Sequence, residues 1–293
     1  MRIFGLLLIM ISLPLQAQQI SGVVVDSDTV AIPYVNIWNM DSSAGATTNE
    51  KGQFSIPFAE EGEEIVLLAS GYKQRFVNVT ANDTIVLQKI IRQTDANELV
   101  VYPEKTLHHT IGDAHFENFY FNPGNLPWIF ARYFPNNKEI RRVQYINKAI
   151  VYTKSMVAEG TFKLRLLVPD EDGCPGEDLL DEPIIVEIRR GNRKNNIDLL
   201  HHNLKMPKNG LFVAIEWVLT ENNQARLNTF VKKTTLFEDY RYAPDMVNNH
   251  VEKSNSYRYM EGYWYSNEQF VEERDLGKEK PYADPAIGLI LSN

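Results

Sequence analysis

The chain is almost free of cysteine. Its single cysteine, Cys174, excludes an internal disulfide, so the stability of the fold must come from its hydrophobic cores. Cys174 lies between Gly173 and Pro175 in a polar stretch that has no neighbouring histidine. This setting indicates a turn residue rather than a nucleophile, because a reactive thiol needs a base or a cation beside it.

Long apolar runs are also scarce, and the one that stands out is at the start. A positive first segment is followed by the almost wholly apolar residues 3–15, and Ala17 then offers a small residue at a cleavage point. This order is typical of a secretory signal peptide, and the run is shorter than the roughly 20 residues of a spanning helix. We predict that residues 1–17 are removed after Ala17. The mature protein, without an integral membrane span, is expected in the periplasm or at the outer cell surface.

Positive charge is in short supply as well. The formal net charge is −8, which disfavours nucleic acid as a partner. Helical periodicity is nearly absent, and short alternating runs rich in β-branched and aromatic residues are separated by turn residues. We predict an all-β protein: a small β-sandwich at 18–90, a connector with short strands at 91–140, and a larger jelly-roll-like antiparallel β-sandwich at 141–293.

The first module shows the turn chemistry of a β-sandwich. Gly52 follows Asn49 in a predicted turn that favours a residue without Cβ, and Phe54 and Ile56 alternate on the strand that leaves it. Four blocks, at residues 22–26, 32–37, 47–54 and 70–72, resemble the carboxypeptidase-regulatory-like (transthyretin-like) domain. The resemblance implies a β-sandwich, which in Bacteroidetes-type bacteria commonly follows a signal peptide. It implies no peptidase activity, because the domain takes its name from the zinc peptidases beside which it was first noticed.

The second module alternates in the same way. Strands are predicted at 143–152, 161–168, 184–188 and 211–218, an acidic loop at 170–182, and a solvated hairpin turn at the basic run 189–194. Blocks at 162–165, 170–180, 197–199 and 207–217 resemble the uncharacterised C-terminal halves of such bacterial proteins, whose profile is similar to galactose-binding-like and fibre-tip jelly rolls. That resemblance implies a fold and no particular activity.

The common catalytic signatures are missing. The sequence contains no Gly-x-Ser-x-Gly elbow, no phosphate-binding glycine loop, and no His-Glu-x-x-His zinc motif among its six histidines. The carboxylates of a glycoside hydrolase need not be close in sequence, and Glu216, beside Trp217 in an apolar strand, is the acid to watch. Burial would raise its pKa, but strand alternation favours an exposed side chain. We predict no catalytic residue and keep, as the alternative, a hydrolase whose carboxylates converge in the C-terminal module.

The acidic loop is a candidate metal site. Asp170, Asp172 and Asp178 concentrate the hard oxygen ligands that calcium prefers, although the spacing of an EF-hand is not met. A solvated acidic turn stiffened by Pro175 is the alternative. Apart from calcium, no cofactor is expected.

Aromatic residues gather towards the C-terminus. Tyr257 and Tyr259 are predicted to share one strand face, as are Tyr263 and Tyr265 on the next segment, beside Trp264. Flat rings beside polar groups can stack on sugars, while packing at the edge of a sandwich is the alternative. We predict a noncatalytic envelope protein that binds a glycan or another envelope protein. A structural spacer in a surface assembly is the further alternative.

Overall fold

The computed structural model describes residues 19–40, 44–57, 61–80, 82–91, 107–231, 235–273 and 282–293. The described residues are nearly all β, with 57% strand and 6% helix, which confirms the predicted fold class. The predicted signal peptide and its processing residue Ala17 lie outside the described residues. None of the helices within these ranges is long and apolar enough to cross a membrane.

The N-terminal module, residues 19–91, is a two-layered sandwich. Its strands are β1 (Gln19–Val25), β2 (Asn36–Asn39), β3 (Gly45–Thr47), β4 (Gln53–Pro57), β5 (Glu64–Leu68), β6 (Arg75–Asn78) and β7 (Asp83–Val86). One sheet has the order β4-β1-β7 and the other the order β3-β2-β5-β6. Between the two sheets lies a core of fully buried aliphatic side chains that includes Val24, Ile37, Ile56, Ile65 and Leu87.

The turn that leads into β4 follows from Asn49 and Gly52. The Asn49 side chain accepts hydrogen bonds from two backbone N–H groups of the turn, at 2.9 and 3.0 Å. Gly52 has φ +71°, and a Cβ there would lie 2.5 Å from the carbonyl oxygen of Val24. β4 then pairs antiparallel with β1, and Phe54 and Ile56 enter the core. The glycine turn and the small sandwich predicted from the sequence are confirmed.

The C-terminal module, residues 107–293, is larger, and all its described strand pairs are antiparallel. Its first strands are β8 (His108–Ile111), β9 (Tyr120–Phe121), β10 (Ile129–Phe134), β11 (Tyr145–Pro169), β12 (Pro175–Asp178), β13 (Ile184–Asp198) and β14 (Leu211–Trp217). A two-stranded hairpin follows, formed by β15 (Gln224–Val231) and β16 (Thr235–Tyr242). The remaining elements are β17 (Asp245–Val251), β18 (Ser256–Met260), β19 (Tyr263–Ser266), helix α1 (Asn267–Glu273), β20 (Tyr282–Pro285) and β21 (Ile287–Ser292).

Two long strands, β11 and β13, run side by side through this module. β11 is 25 residues long and pairs with β21 through its first half and with β14 through its second half. β13 follows β11 along both halves, with a register shift between Ser155 and Glu159. The main core, which includes Phe130, Phe162 and Trp217, is built from strands on both sides of this shift.

The connector predicted at residues 91–140 differs from the structure. β10 lies inside a sheet, between β18 and β14, and β8 pairs with β21, so residues 107–140 belong to the C-terminal module. β10 is hidden from sequence reasoning because Ile129, Phe130 and Ala131 are all fully buried. A strand that is buried on both faces lacks the polar alternation that identifies half-buried strands.

The hairpin turn predicted at residues 189–194 is wrong. These residues continue β13 and pair with β11, and the strand passes through Gly191 at φ +92°. Arg189, Arg190, Arg193 and Lys194 are exposed, as a solvated run should be. Within the described residues β13 pairs with β11 alone, and charges along such an edge discourage pairing with another chain.

An apolar interface joins the two modules. On the N-terminal side, the side chains of Trp38, Val66 and Leu68 project from the outer face of the β3-β2-β5-β6 sheet. They pack against buried side chains of the C-terminal module, namely Ile129, Ala131, Leu167, Phe212, Ala214 and Tyr259. Each module therefore covers an apolar sheet face of the other, and this contact removes both faces from water.

Gly71 tests this contact, because it lies where the modules meet. Its φ is +78°, and a Cβ would lie 2.3 Å from the carbonyl oxygen of Asp181 in the C-terminal module. We expect Gly71→Ala to lower the free energy of unfolding by about 2–4 kcal/mol, since overlap with backbone adds to the conformational strain.

Gly62→Ala is the matched control for that measurement. Gly62 has φ +92°, but nothing lies within 4 Å of the position that a Cβ would take there. We expect a loss of about 1 kcal/mol from backbone strain alone. Urea unfolding of both variants gives the comparison, and equal losses would contradict a tight contact at Gly71.

Candidate functional site

Four charged side chains lie buried at the centre of the interface, and we call them the buried ion network. Lys163 and Arg165 come from β11, Glu216 from β14 and Asp178 from β12. Lys163 Nζ is 2.5 Å from Glu216 Oε1, Arg165 Nη1 is 3.2 Å from Glu216 Oε2, and Arg165 Nη2 is 2.6 Å from Asp178 Oδ2. None of the four side chains is more than 8% exposed. Two cations thus face two carboxylates, which is the condition for burying such groups.

The register of the strands produces this network. Phe162 and Leu164 of β11 point into the main core, so Lys163 and Arg165 point to the opposite face of the sheet. Lys163 lies directly opposite Glu216 in the pairing of β11 with β14. In an isolated C-terminal module these side chains would face water, and here the N-terminal module covers them.

Uncharged groups of the N-terminal module close the network. Asn36 Nδ2 donates to Glu216 Oε1 at 2.7 Å, and Thr47 Oγ1 holds the same amide by donating to Asn36 Oδ1 at 2.6 Å. Lys163 Nζ donates to the carbonyl oxygen of Tyr34 at 2.6 Å. Tyr34 has φ +58°, a left-handed conformation that is uncommon for a bulky residue. The strain is thus located where the backbone meets the buried ammonium group.

Burial shifts the pKa values of two side chains in this interface, Lys163 and Tyr259. Desolvation lowers the pKa of Lys163, and the attraction of Glu216 opposes that effect. Desolvation raises the pKa of the Tyr259 hydroxyl, an effect that Arg165 partly offsets. The tyrosine therefore stays protonated and neutral at physiological pH.

The expectation that Glu216 is exposed is wrong. Its side chain is fully buried, because the N-terminal module covers the strand face that alternation assigns to solvent. Glu216 and Asp178 are both paired with Arg165 and shielded from water. A carboxylate that is neutralised and covered in this way is not placed to act on a substrate.

The aromatic side chains predicted to bind a ligand face in different directions. Tyr257, Tyr259 and Trp264 belong to the interface between the modules. Tyr259 packs between Trp38 and Trp264, with its ring centroid 5.3 Å from that of each indole. The rings are tilted towards edge-to-face arrangements, the geometry favoured in aromatic cores. Tyr259 therefore connects the modules through Trp38, while Tyr257 and Trp264 pack around this contact.

The other two members of the set lie apart from that cluster. Tyr265 packs against the main core of the C-terminal module, on the other side of the sheet. Tyr263 is 57% exposed. Arg258, opposite Tyr265 in the pairing of β18 with β19, lies over three phenylalanine rings of the core. The geometry thus favours packing for the set, with Tyr263 alone turned to solvent.

The three candidate calcium ligands are not brought together. Asp178 receives two hydrogen bonds from Arg165, at 2.8 and 2.6 Å. Asp170 Oδ1 accepts from the backbone N–H groups of Asp172 and Cys174, as in an ordinary Asx turn. No group of three acidic, histidine or cysteine side chains converges as a metal site within the described ranges. Asp178 is an ion-pair residue, and calcium binding by Asp170 and Asp172 stays a prediction.

A cleft of about 620 Å³ opens between the modules, beside the buried ion network. Tyr34 and Thr47, which contact the network, also line this cleft. Most of its other lining side chains carry hydroxyl or amide groups, and two exposed acids, Glu50 and Glu221, complete it. A volume of this size is in the range of small-ligand sites in proteins.

Several polar groups of the cleft are available to a ligand. The hydroxyl groups of Tyr34, Thr161 and Thr220 and the amide of Asn222 make no hydrogen bond within the part of the chain that the structure describes. They come from both walls, since Tyr34 belongs to the N-terminal module and the others to the C-terminal module. A ligand in the cleft would therefore contact both modules at once.

Comparison with known families identifies the N-terminal module, which forms one wall of the cleft. Residues 20–101 match the model of the CarboxypepD_reg-like domain. The N-terminal module is a CarboxypepD_reg-like domain. The resemblance that four sequence blocks indicated is thereby confirmed, and a larger β-rich region follows the CarboxypepD_reg-like domain in the chain.

Solved structures offer looser likenesses. One contains the cysteine protease and lectin-like domains of a surface-layer-associated protein of Clostridium difficile, at 10% identity and a TM-score of 0.38. The match covers 92% of this chain and 61% of that one, so this chain spans less than two thirds of that structure. The major pilin subunit of Bacillus cereus matches at 12% identity and a TM-score of 0.19, covering 78% of this chain and 68% of the pilin. No curated protein matches the sequence.

The variant Glu216→Gln tests how much the buried ion network contributes to stability. This change keeps the volume of the side chain but leaves Lys163 and Arg165 with one carboxylate. We expect the free energy of unfolding to fall by about 3–5 kcal/mol, because a buried cation loses its counter-charge. Urea unfolding measures the loss, and a loss below about 1 kcal/mol would contradict the network.

Two further variants make that result specific. Glu221→Gln alters an exposed acid of the same module and should change stability by less than about 0.5 kcal/mol. The double variant Lys163→Met with Glu216→Leu removes both charges of one pair. It should lose less stability than Glu216→Gln alone, since no cation is left without a partner at that position.

Proposed function

We propose that this chain is a noncatalytic exported protein that binds a glycan in the cleft between its two modules. The observation that carries the proposal is the lining of that cleft, where a hydroxyl group of the N-terminal wall and hydroxyl and amide groups of the C-terminal wall are engaged by no other described group. The CarboxypepD_reg-like domain acts as one wall of the site. The buried ion network supports this role, because it holds the two walls at one separation.

The lining suits a neutral, polyhydroxylated ligand. Sugar hydroxyl groups both donate and accept hydrogen bonds, as the side chains of Thr161, Thr220 and Asn222 do. The half-buried ring of Tyr34 supplies a flat surface against which a sugar ring can stack. Among the described lining residues of the cleft there is no lysine or arginine, and Glu50 and Glu221 repel anions, so an acidic polymer is a poorer fit.

The hydrolase alternative has less support. It requires two buried acids or histidines that face one cleft of the C-terminal module, and the buried acids of the ion network, Glu216 and Asp178, are instead bound to cations beneath the N-terminal module. The two acids of the cleft between the modules, Glu50 and Glu221, are exposed. A noncatalytic role needs no such pair. The spacer alternative is an outcome of the binding experiment, since a spacer has no ligand to bind.

Export belongs to the same proposal. Residues 1–17 have the order of a signal peptide, and the absence of a disulfide is compensated by two extensive cores. The expected site of action is therefore the periplasm or the outer cell surface, where glycans are abundant.

A glycan array tests the proposal, followed by calorimetric titration of the best ligand with the chain lacking residues 1–17. Thr220→Ala combined with Asn222→Ala should weaken binding roughly tenfold, since each removes a hydrogen-bonding group from the cleft. Thr110→Ala with Asn196→Ala, an exposed pair outside the cleft, is the matched control and should bind as the parent does.

Three results would overturn this function. Absence of any glycan ligand would favour the spacer, and equal weakening by the cleft pair and the control pair would place the site elsewhere. Hydrolysis of the bound glycan during the titration, detected by chromatography, would contradict the noncatalytic role.

A further inference from the structure

A second pocket, of about 430 Å³, lies on the CarboxypepD_reg-like domain alone. Its base is formed where residues 71–73 pair with residues 88–90. Lys73, Arg75 and Gln88 line it, and Ser27 contributes from the turn after β1. Because none of its lining residues borders the glycan cleft, the two pockets are separate.

The charge of this second pocket is unlike that of the other described pockets. The glycan cleft contains two acids, the groove around Lys148 contains Asp198, and the small pocket at Arg241 contains Asp245. The second pocket contains Lys73 and Arg75, and its described lining includes no carboxylate. In a chain with net charge −8, such a local excess of positive charge runs against the overall balance.

The two cations are also free of ion pairs. Among the described residues, neither Lys73 nor Arg75 lies within salt-bridge distance of an acid, whereas Lys163, Arg165 and Arg241 all do. The nearby Asp26 is engaged by the backbone, since its Oδ1 accepts from two N–H groups of its own turn at 2.9 and 2.8 Å. Asp26 is thus held by its own turn and forms no ion pair with Lys73 or Arg75.

The backbone that carries these cations is held in place. Gln74, between them, donates from Nε2 to the carbonyl oxygen of Gly262 in the C-terminal module at 3.0 Å. Arg75 donates from Nη1 to the carbonyl oxygen of Val86. That bond orients the guanidinium group and leaves its other N–H groups available, and a planar, oriented guanidinium is well suited to oxyanions.

We propose that the pocket at Lys73 and Arg75 binds a single oxyanion, either a carboxylate or a phosphate or sulfate ester, carried by a larger ligand. Lys73 and Arg75 would supply charge-assisted hydrogen bonds, and the Gln88 amide and Ser27 hydroxyl would add neutral ones. The volume exceeds that of a bare ion and leaves room for the sugar or glycerol unit that bears the group. This proposal does not depend on glycan binding in the cleft.

Nuclear magnetic resonance of the isotope-labelled chain tests it directly. Inorganic phosphate, sulfate and glucuronate are titrated separately at constant ionic strength, and the amide signals of residues 73–75 and 88 are followed. We expect saturable shifts at these positions for at least one anion. The anion that binds most tightly distinguishes an ester ligand from a uronic acid.

Variants separate a built site from diffuse electrostatics. Lys73→Ala with Arg75→Ala should weaken binding roughly tenfold or more, because both charged donors are lost. Arg190→Ala with Lys208→Ala removes the same charge from exposed positions elsewhere and should leave the affinity unchanged. Shifts that do not saturate for any anion, or equal weakening by both pairs, would overturn the proposal. An unchanged spectrum away from the pocket verifies that the variants fold.

Discussion

The arrangement of this protein depends on the burial of Lys163, Arg165, Glu216 and Asp178 between its two modules. Moving such groups out of water costs several kcal/mol for each ion, and only close opposite charges and complete hydrogen bonding offset that cost. The N-terminal module supplies uncharged hydrogen-bonding groups to the network, namely the Asn36 amide and the carbonyl oxygen of Tyr34. Small displacements would leave charges without partners, so the network selects one docking geometry, while the apolar contact around Trp38 and Tyr259 provides favourable burial.

The same groups connect this constraint to the cleft. Tyr34 gives its carbonyl oxygen to Lys163, and its side chain lines the cleft. Thr47 holds the Asn36 amide and accepts a hydrogen bond from the backbone of Leu219 at 2.8 Å, also at the cleft. The two walls are thus joined through the network, and a ligand that bridges them meets a preorganised site. Preorganisation of this kind lowers the entropic cost of binding.

Much of the fold could be predicted from the sequence, and the reasons for the failures are physical. The Asn49–Gly52 turn and the alternating strands of the first module are local signals, and they indicate the correct sandwich. The sequence pattern does not predict β10, because burial on both faces removes the alternation that defines a strand in sequence. The sequence predicts an exposed Glu216 for a related reason: alternation assigns a residue to a face of the strand but does not show whether another module covers that face. The spacing of Lys163 and Arg165 places both side chains on one face of a strand. The groups that they contact can be named only when the register of β14 and the position of Asn36 are known.

The central claim is that the buried ion network and the surrounding apolar contact make the two modules one cooperative unit. Differential scanning calorimetry of the chain from residue 18 onwards tests it most directly. We expect one transition, with a calorimetric enthalpy equal to the van't Hoff enthalpy, as in two-state unfolding. Two separate transitions, with the CarboxypepD_reg-like domain melting independently of the larger module, would contradict it.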